Sequence, residues 1–249
     1  MKKFFITFKN KCKKLFNFNG FVCLCGILIL LMFSILFGYS ITSGNLVLAS
    51  GKTNVNSYYL IEADCTNDYN TALEIASQVQ EKGGAGYIRF DEGYHIFISA
   101  YLTEKDAKSV MNKVGGASIY ALNLSEFDFN NGFSQNVNQI FKNNIICFKY
   151  SLENLNKLIT QFDKGEINIS QLKSNCLLII EEIDIQIEKF EDIFYQDSTM
   201  YKYKNYMLEF KSNFNSILDL DNENTEFSRT VKYLEISNMF CFKKILDLI

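Results

Sequence analysis

The chain has 249 residues with a net charge of only −3, no proline, no tryptophan and one histidine. Its charges are unevenly placed: seven lysines and no acidic residue precede Ser57, which leaves 18 basic against 28 acidic residues in the remainder. An acidic remainder whose only arginines are Arg89 and Arg229 lacks the basic footprint that phosphate binding needs, and so excludes a nucleic-acid partner for it.

Residues 1–19 form a basic segment containing Lys2, Lys3, Lys9, Lys11, Lys13 and Lys14. From Gly20 to Ile41 the chain is apolar and free of charge, long enough to cross a bilayer as one helix. The lysines ahead of it place the N-terminus in the cytoplasm and everything after Ile41 outside, as a single-pass membrane protein. The alternative of a cleaved signal peptide fits less well: the apolar run is too long, and Val47-Leu48-Ala49 lacks the small residue that opens a cleavage site. Residues 42–56, rich in glycine, asparagine and hydroxyl side chains, form a flexible tether.

Residues 57–124 repeat one plan twice. A strand over Ser57–Ala63, a helix from Asp68 to Lys82 and a strand near Gly86–Phe90 are followed by a strand over Tyr94–Tyr101, a helix from Glu104 to Val114 and a strand near Ser118–Leu122. Tyr69, Ala72, Leu73, Ala76 and Val79 recur at helical spacing, with Gly83 as a stop; Thr103 caps the second helix. Asp91-Glu92-Gly93 turns strand two into strand three. The expected fold class is α+β: a ferredoxin-like, four-stranded antiparallel sheet with two helices on one face, preceded by the membrane helix and followed by an all-α bundle.

Alternation sorts the sheet into two sets of side chains. Ile61, Ala63, Ile88, Ile96 and Ile98 are expected under the helices; Leu60, Glu62, Tyr87, Arg89, His95, Phe97 and Ser99 face the other way. Tyr87 and Phe97 offer aromatic platforms for a sugar ring, while Glu62, Arg89, His95 and Ser99 supply donors and acceptors around it. The same set also fits a face covered by the C-terminal helices, with Phe97 as core and Arg89 paired with Glu62.

The segment Tyr58-Tyr-Leu-Ile-Glu-Ala63, the Gly83-Gly-Ala-Gly-Tyr-Ile88 turn and Gly93-Tyr-His-Ile-Phe-Ile-Ser-Ala-Tyr-Leu-Thr-Glu-Lys-Asp-Ala107 together resemble a SPOR (sporulation-related) repeat domain. The chain departs from that pattern at Asp64-Cys65-Thr66 and at Ser99. The resemblance implies binding to peptidoglycan glycan strands stripped of their peptides, at a division or sporulation septum. In that family the glycan lies across the bare sheet face and a polar residue after strand one touches it, which implies contact roles for Glu62 and Cys65.

Beyond residue 124 the pattern is helical. Amphipathic helices are expected at about 134–162, at about 170–195 with Ser170 as its cap, at 199–219 and, capped near Thr225, from there onward; the last carries an apolar stripe of Phe227, Val231, Leu234, Cys241, Ile245 and Leu248. Short connections make 125–249 an antiparallel bundle whose helices 134–162 and 170–195 suit a protein partner or self-association. The cysteine spacings match no metal motif, and Cys147, Cys176 and Cys241 read as buried hydrophobes, with a Cys147–Cys176 bridge left open. No catalytic motif, cofactor loop or metal spacing stands out, so a non-enzymatic binding protein without a cofactor is expected; the second reading is an envelope scaffold that does not bind glycan.

Overall fold

The computed structural model describes residues 57–124, 134–194, 200–220 and 224–249. The expected membrane helix at Gly20–Ile41 and the tether at 42–56 lie outside these residues; among the described residues no helix is long and apolar enough to cross a membrane.

The N-terminal part contains β1 (Tyr58–Thr66), α1 (Tyr69–Glu81), β2 (Tyr87–Phe90), β3 (Tyr94–Tyr101), α2 (Glu104–Met111) and β4 (Ser118–Leu122). Local chemistry sets the helix ends. Asp68 caps α1 by accepting from the Thr71 amide, and Thr103 caps α2 by accepting from that of Asp106. The chain leaves α1 through Gly83 at φ +81°, a left-handed conformation that glycine tolerates best. The strands form one antiparallel sheet in the order β2-β3-β1-β4, with β2 and β4 at its edges. The crossovers put α1 and α2 on one face, where Ala72, Ala76 and Ile96 form a small core joined by Ala63, Ile88 and Val79.

Four helices follow: α3 (Gln135–Asp163), α4 (Ile169–Phe194), α5 (Tyr201–Asp219) and α6 (Asn224–Leu246). Ser134 caps α3 through the Val137 amide. The cap of α4 is Asn168, not Ser170: Asn168 and Gln171 exchange side chain-to-amide bonds of 2.9 Å each, a reciprocal capping box.

The expectation that the second face of the sheet is bare is overturned. That face carries α6, and Leu60, Phe97, Tyr58 and Leu122 of the sheet belong to the same hydrophobic core as the bundle. The reason lies in α6 itself. Beyond the expected stripe, Ile236, Met239, Phe240 and Phe242 are also buried, so the helix is apolar around most of its circumference from Leu234 to Leu246. Such a helix must be covered on opposite sides: the bundle covers one and the sheet the other, while Leu248 is exposed. The seam also carries polar bonds. Asn156 donates to the Ala100 carbonyl at 3.0 Å and to Glu235 at 2.7 Å, and Lys232 donates to the Gly83 carbonyl at 3.4 Å.

Candidate functional site

Two register shifts in the β1–β3 pairing decide which side chains meet. Ile61 pairs with Ser99 and Glu62 with Phe97, so one residue of β3 is skipped at Ile98; Glu62 pairs with Phe97 and Asp64 with Ile96, so one residue of β1 is skipped at Ala63. Each bulge inverts the alternation beyond it. The first moves Ser99 away from Phe97 and onto the α1–α2 face, opposite Ile61, where it is buried and donates to the Tyr101 hydroxyl. The second brings Cys65 onto the same face as Glu62, directly opposite His95.

The seven expected contact residues therefore separate into three groups. Phe97 is 0 % exposed and lies against Phe240, with ring centroids 5.7 Å apart. Tyr87 stacks on Phe240 at 5.7 Å and tilts against Tyr233, while the Arg89 guanidinium sits 4.1 Å from the centre of the Phe240 ring. The aromatic platform and its arginine are thus the floor of the α6 seat. Ser99 faces the other way. Glu62, Cys65 and His95 remain, grouped at the end of the face that α6 leaves uncovered.

In this group Glu62 pairs with His95, not with Arg89 as in the alternative reading of the face. Its Oε1 is 2.5 Å from His95 Nδ1, and its Oε2 accepts from Ser118 Oγ at 2.8 Å. His95 Nε2 lies 2.9 Å from the Asp91 carbonyl and 3.7 Å from Cys65 Sγ. With an acceptor at each ring nitrogen, the imidazole is held from both ends. Burial alone would lower the His95 pKa, but the Glu62 and Asp91 bonds outweigh it and leave it above the ordinary value. The Cys65 thiol is also raised, by desolvation first and then by the carboxylates of Glu62 and Asp64.

Gly93 completes the geometry. A Cβ there would stand 2.9 Å from Cys65 Sγ, so the glycine lets the thiol lie against the β2–β3 turn. The Glu62 and His95 side chains are 14 % and 18 % exposed, whereas Cys65 is open to solvent. A thiol, an imidazole and a carboxylate within reach of one another can donate and accept protons or share a cation. Sequence spacing hides this trio, because its members lie on two strands and meet only through a bulge.

The remaining described cysteines have no such neighbours. Cys147, Cys176 and Cys241 are free thiols buried in the bundle, each pushed up to about 12 chiefly by burial. No protein-family model matches this chain, and no curated protein or solved structure matches it either.

Proposed function

We propose that this chain is a membrane-anchored scaffold of the cell envelope, in which a ferredoxin-like, SPOR-like sheet serves as the seat of a helical bundle and does not act as a glycan platform. The observation that carries this reading is the complete burial of Phe97 and Leu60 beneath α6. A sugar chain lying across the sheet would have to displace Phe240 from Phe97, Tyr87 and Arg89 together, exposing apolar area that costs about 25 cal/mol per Å². The anchor follows from the charge-free run at Gly20–Ile41 behind six lysines, which puts the folded part outside the cell.

The surface offered to a protein partner is the outer ridge of α4. Leu177, Leu178, Ile185 and Ile193 are exposed there, Leu178 at 62 %, beside the exposed acidic residues Glu181, Glu182 and Glu188. An apolar ridge edged with carboxylates suits a partner helix that is apolar and basic.

Sedimentation of the full-length protein in detergent with purified glycan strands tests the reading. It predicts no retention on either denuded or intact strands, and a Phe97→Ala variant that loses its fold. Retention on denuded strands by wild type, together with a Phe97→Ala protein that stays folded and no longer binds, would overturn it in favour of septal glycan recognition.

A further inference from the structure

The trio at the uncovered end of the sheet has the composition and spacing of a metal site. Donor atoms of Glu62, Cys65 and His95 all lie within 4.8 Å of one another. Cys65 Sγ and His95 Nε2 are 3.7 Å apart. Tetrahedral zinc, with bonds of about 2.3 Å to sulfur and about 2.0 Å to nitrogen, holds such a pair about 3.5 Å apart. Two ligand atoms thus already stand at adjacent corners of the polyhedron. The Glu62 carboxylate is bonded to Nδ1, on the opposite edge of the ring, so it backs the imidazole from behind and does not reach the cation itself.

We propose that Cys65 and His95 bind a thiophilic divalent cation of the zinc class, with Glu62 holding the imidazole through Nδ1 and the remaining corners left to water. A sulfur–nitrogen pair favours zinc over magnesium or calcium, which take oxygen alone, and the Glu62 carboxylate behind the ring adds a second negative charge to that of the thiolate. Ser118 Oγ donates to the far oxygen of Glu62 and so fixes the carboxylate that orients the metal-binding imidazole. When the cation enters, the Nε2 proton shared with the Asp91 carbonyl and the Cys65 thiol proton are released to solvent.

The surroundings favour a cation over a reactive nucleophile. A nucleophilic cysteine sits in an electropositive setting. Here Glu62 and Asp64 flank the thiol, with Asp64 Oδ1 accepting from the Cys65 amide at 2.8 Å. Cys65 is exposed, so the ion has an open route from solvent. The site is independent of the scaffold reading, since it lies beyond the area that α6 covers.

The test is a titration of the reduced, full-length protein with cobalt(II) alone, followed by optical absorption. The expected result is a saturable thiolate-to-cobalt charge-transfer band with tetrahedral d–d bands, displaced by zinc(II). Cys65→Ser removes the charge-transfer band, and Glu62→Gln weakens binding at least about tenfold. His95→Gln removes the tetrahedral bands, and circular dichroism checks that each variant is folded. Because Cys65 is solvent-exposed, Cys65→Ser keeps its fold and decides the matter even if His95→Gln does not. Absence of the thiolate band in wild type, or its survival in folded Cys65→Ser, overturns the proposal.

Discussion

The two faces of the sheet are built from the same strands and bury different things. The α1–α2 face is closed mostly by aliphatic side chains, with Ala72, Ala76 and Ile96 at its centre. The opposite face is closed by large ones, Leu60, Phe97 and Tyr87 meeting Phe240, and it shares its core with the four-helix bundle. The difference shows that an aromatic sheet face is ambiguous on its own. Rings that would suit a ligand suit a covering helix equally well, and the apolar girth of a distant helix decides between them.

The most severe way to break the comparison is to remove the ring on which the second face rests. Phe240→Ala takes away the partner of Phe97, Tyr87 and Arg89 in one step. The expected loss is about 3–5 kcal/mol, as for other large-to-small core changes. Because sheet and bundle share one core, urea unfolding followed by sheet and helix signals should shift as one transition. A sheet that keeps its own midpoint while the bundle melts earlier would mean that the two faces are energetically separate.

A second, smaller effect uses pH to probe the same seam. Burial pushes the Glu235 carboxyl up to about 8, against Asn156 and Lys232, which favour its charged form. The native state therefore holds a proton that the unfolded chain, with a carboxyl near about 4.3, has released. Stability from this group is complete below the unfolded value and is lost as the pH rises through about 8. Thermal unfolding of wild type should fall between about pH 5 and about pH 9 more steeply than that of Glu235→Gln, by an amount on the order of a few kcal/mol. Equal slopes in the two proteins would remove Glu235 as the cause.

Much of this architecture was legible because it rests on local signals. Asp68, Thr103 and Ser134 mark helix starts, and the Tyr94–Tyr101 and Ser118–Leu122 strands fall where their alternation puts them. The sorting of Leu60, Tyr87 and Phe97 from Ile88 and Ile96 is legible for the same reason. What escapes is set by longer-range chemistry. The bulges at Ala63 and Ile98 leave no sequence mark, and they exchange Ser99 and Cys65 between faces. The seat of α6 did leave one: Ile236, Met239, Phe240 and Phe242 fill the helix outside its three-and-four stripe, which a helix with one wet face cannot afford. The Glu62–Cys65–His95 trio was legible as residues and not as a cluster, because the second bulge assembles it.

The mildest change sharpens the comparison from the other side. Thr103 caps α2 through the Asp106 amide at 3.1 Å, and its hydroxyl donates to the Asp106 carboxylate at 2.6 Å. Neither bond touches the bundle seam, so Thr103→Ala loads only the α1–α2 face. The expected cost is about 1 kcal/mol, typical of a lost helix cap. Hydrogen exchange should then quicken in α2 while the amides of α6 keep their protection, because α2 can fray without lifting the helix seated on the far side of the sheet. Should α6 exchange faster by the same factor, the two faces would open as one unit, and the α1–α2 face would hold the bundle in place as firmly as Phe240 does.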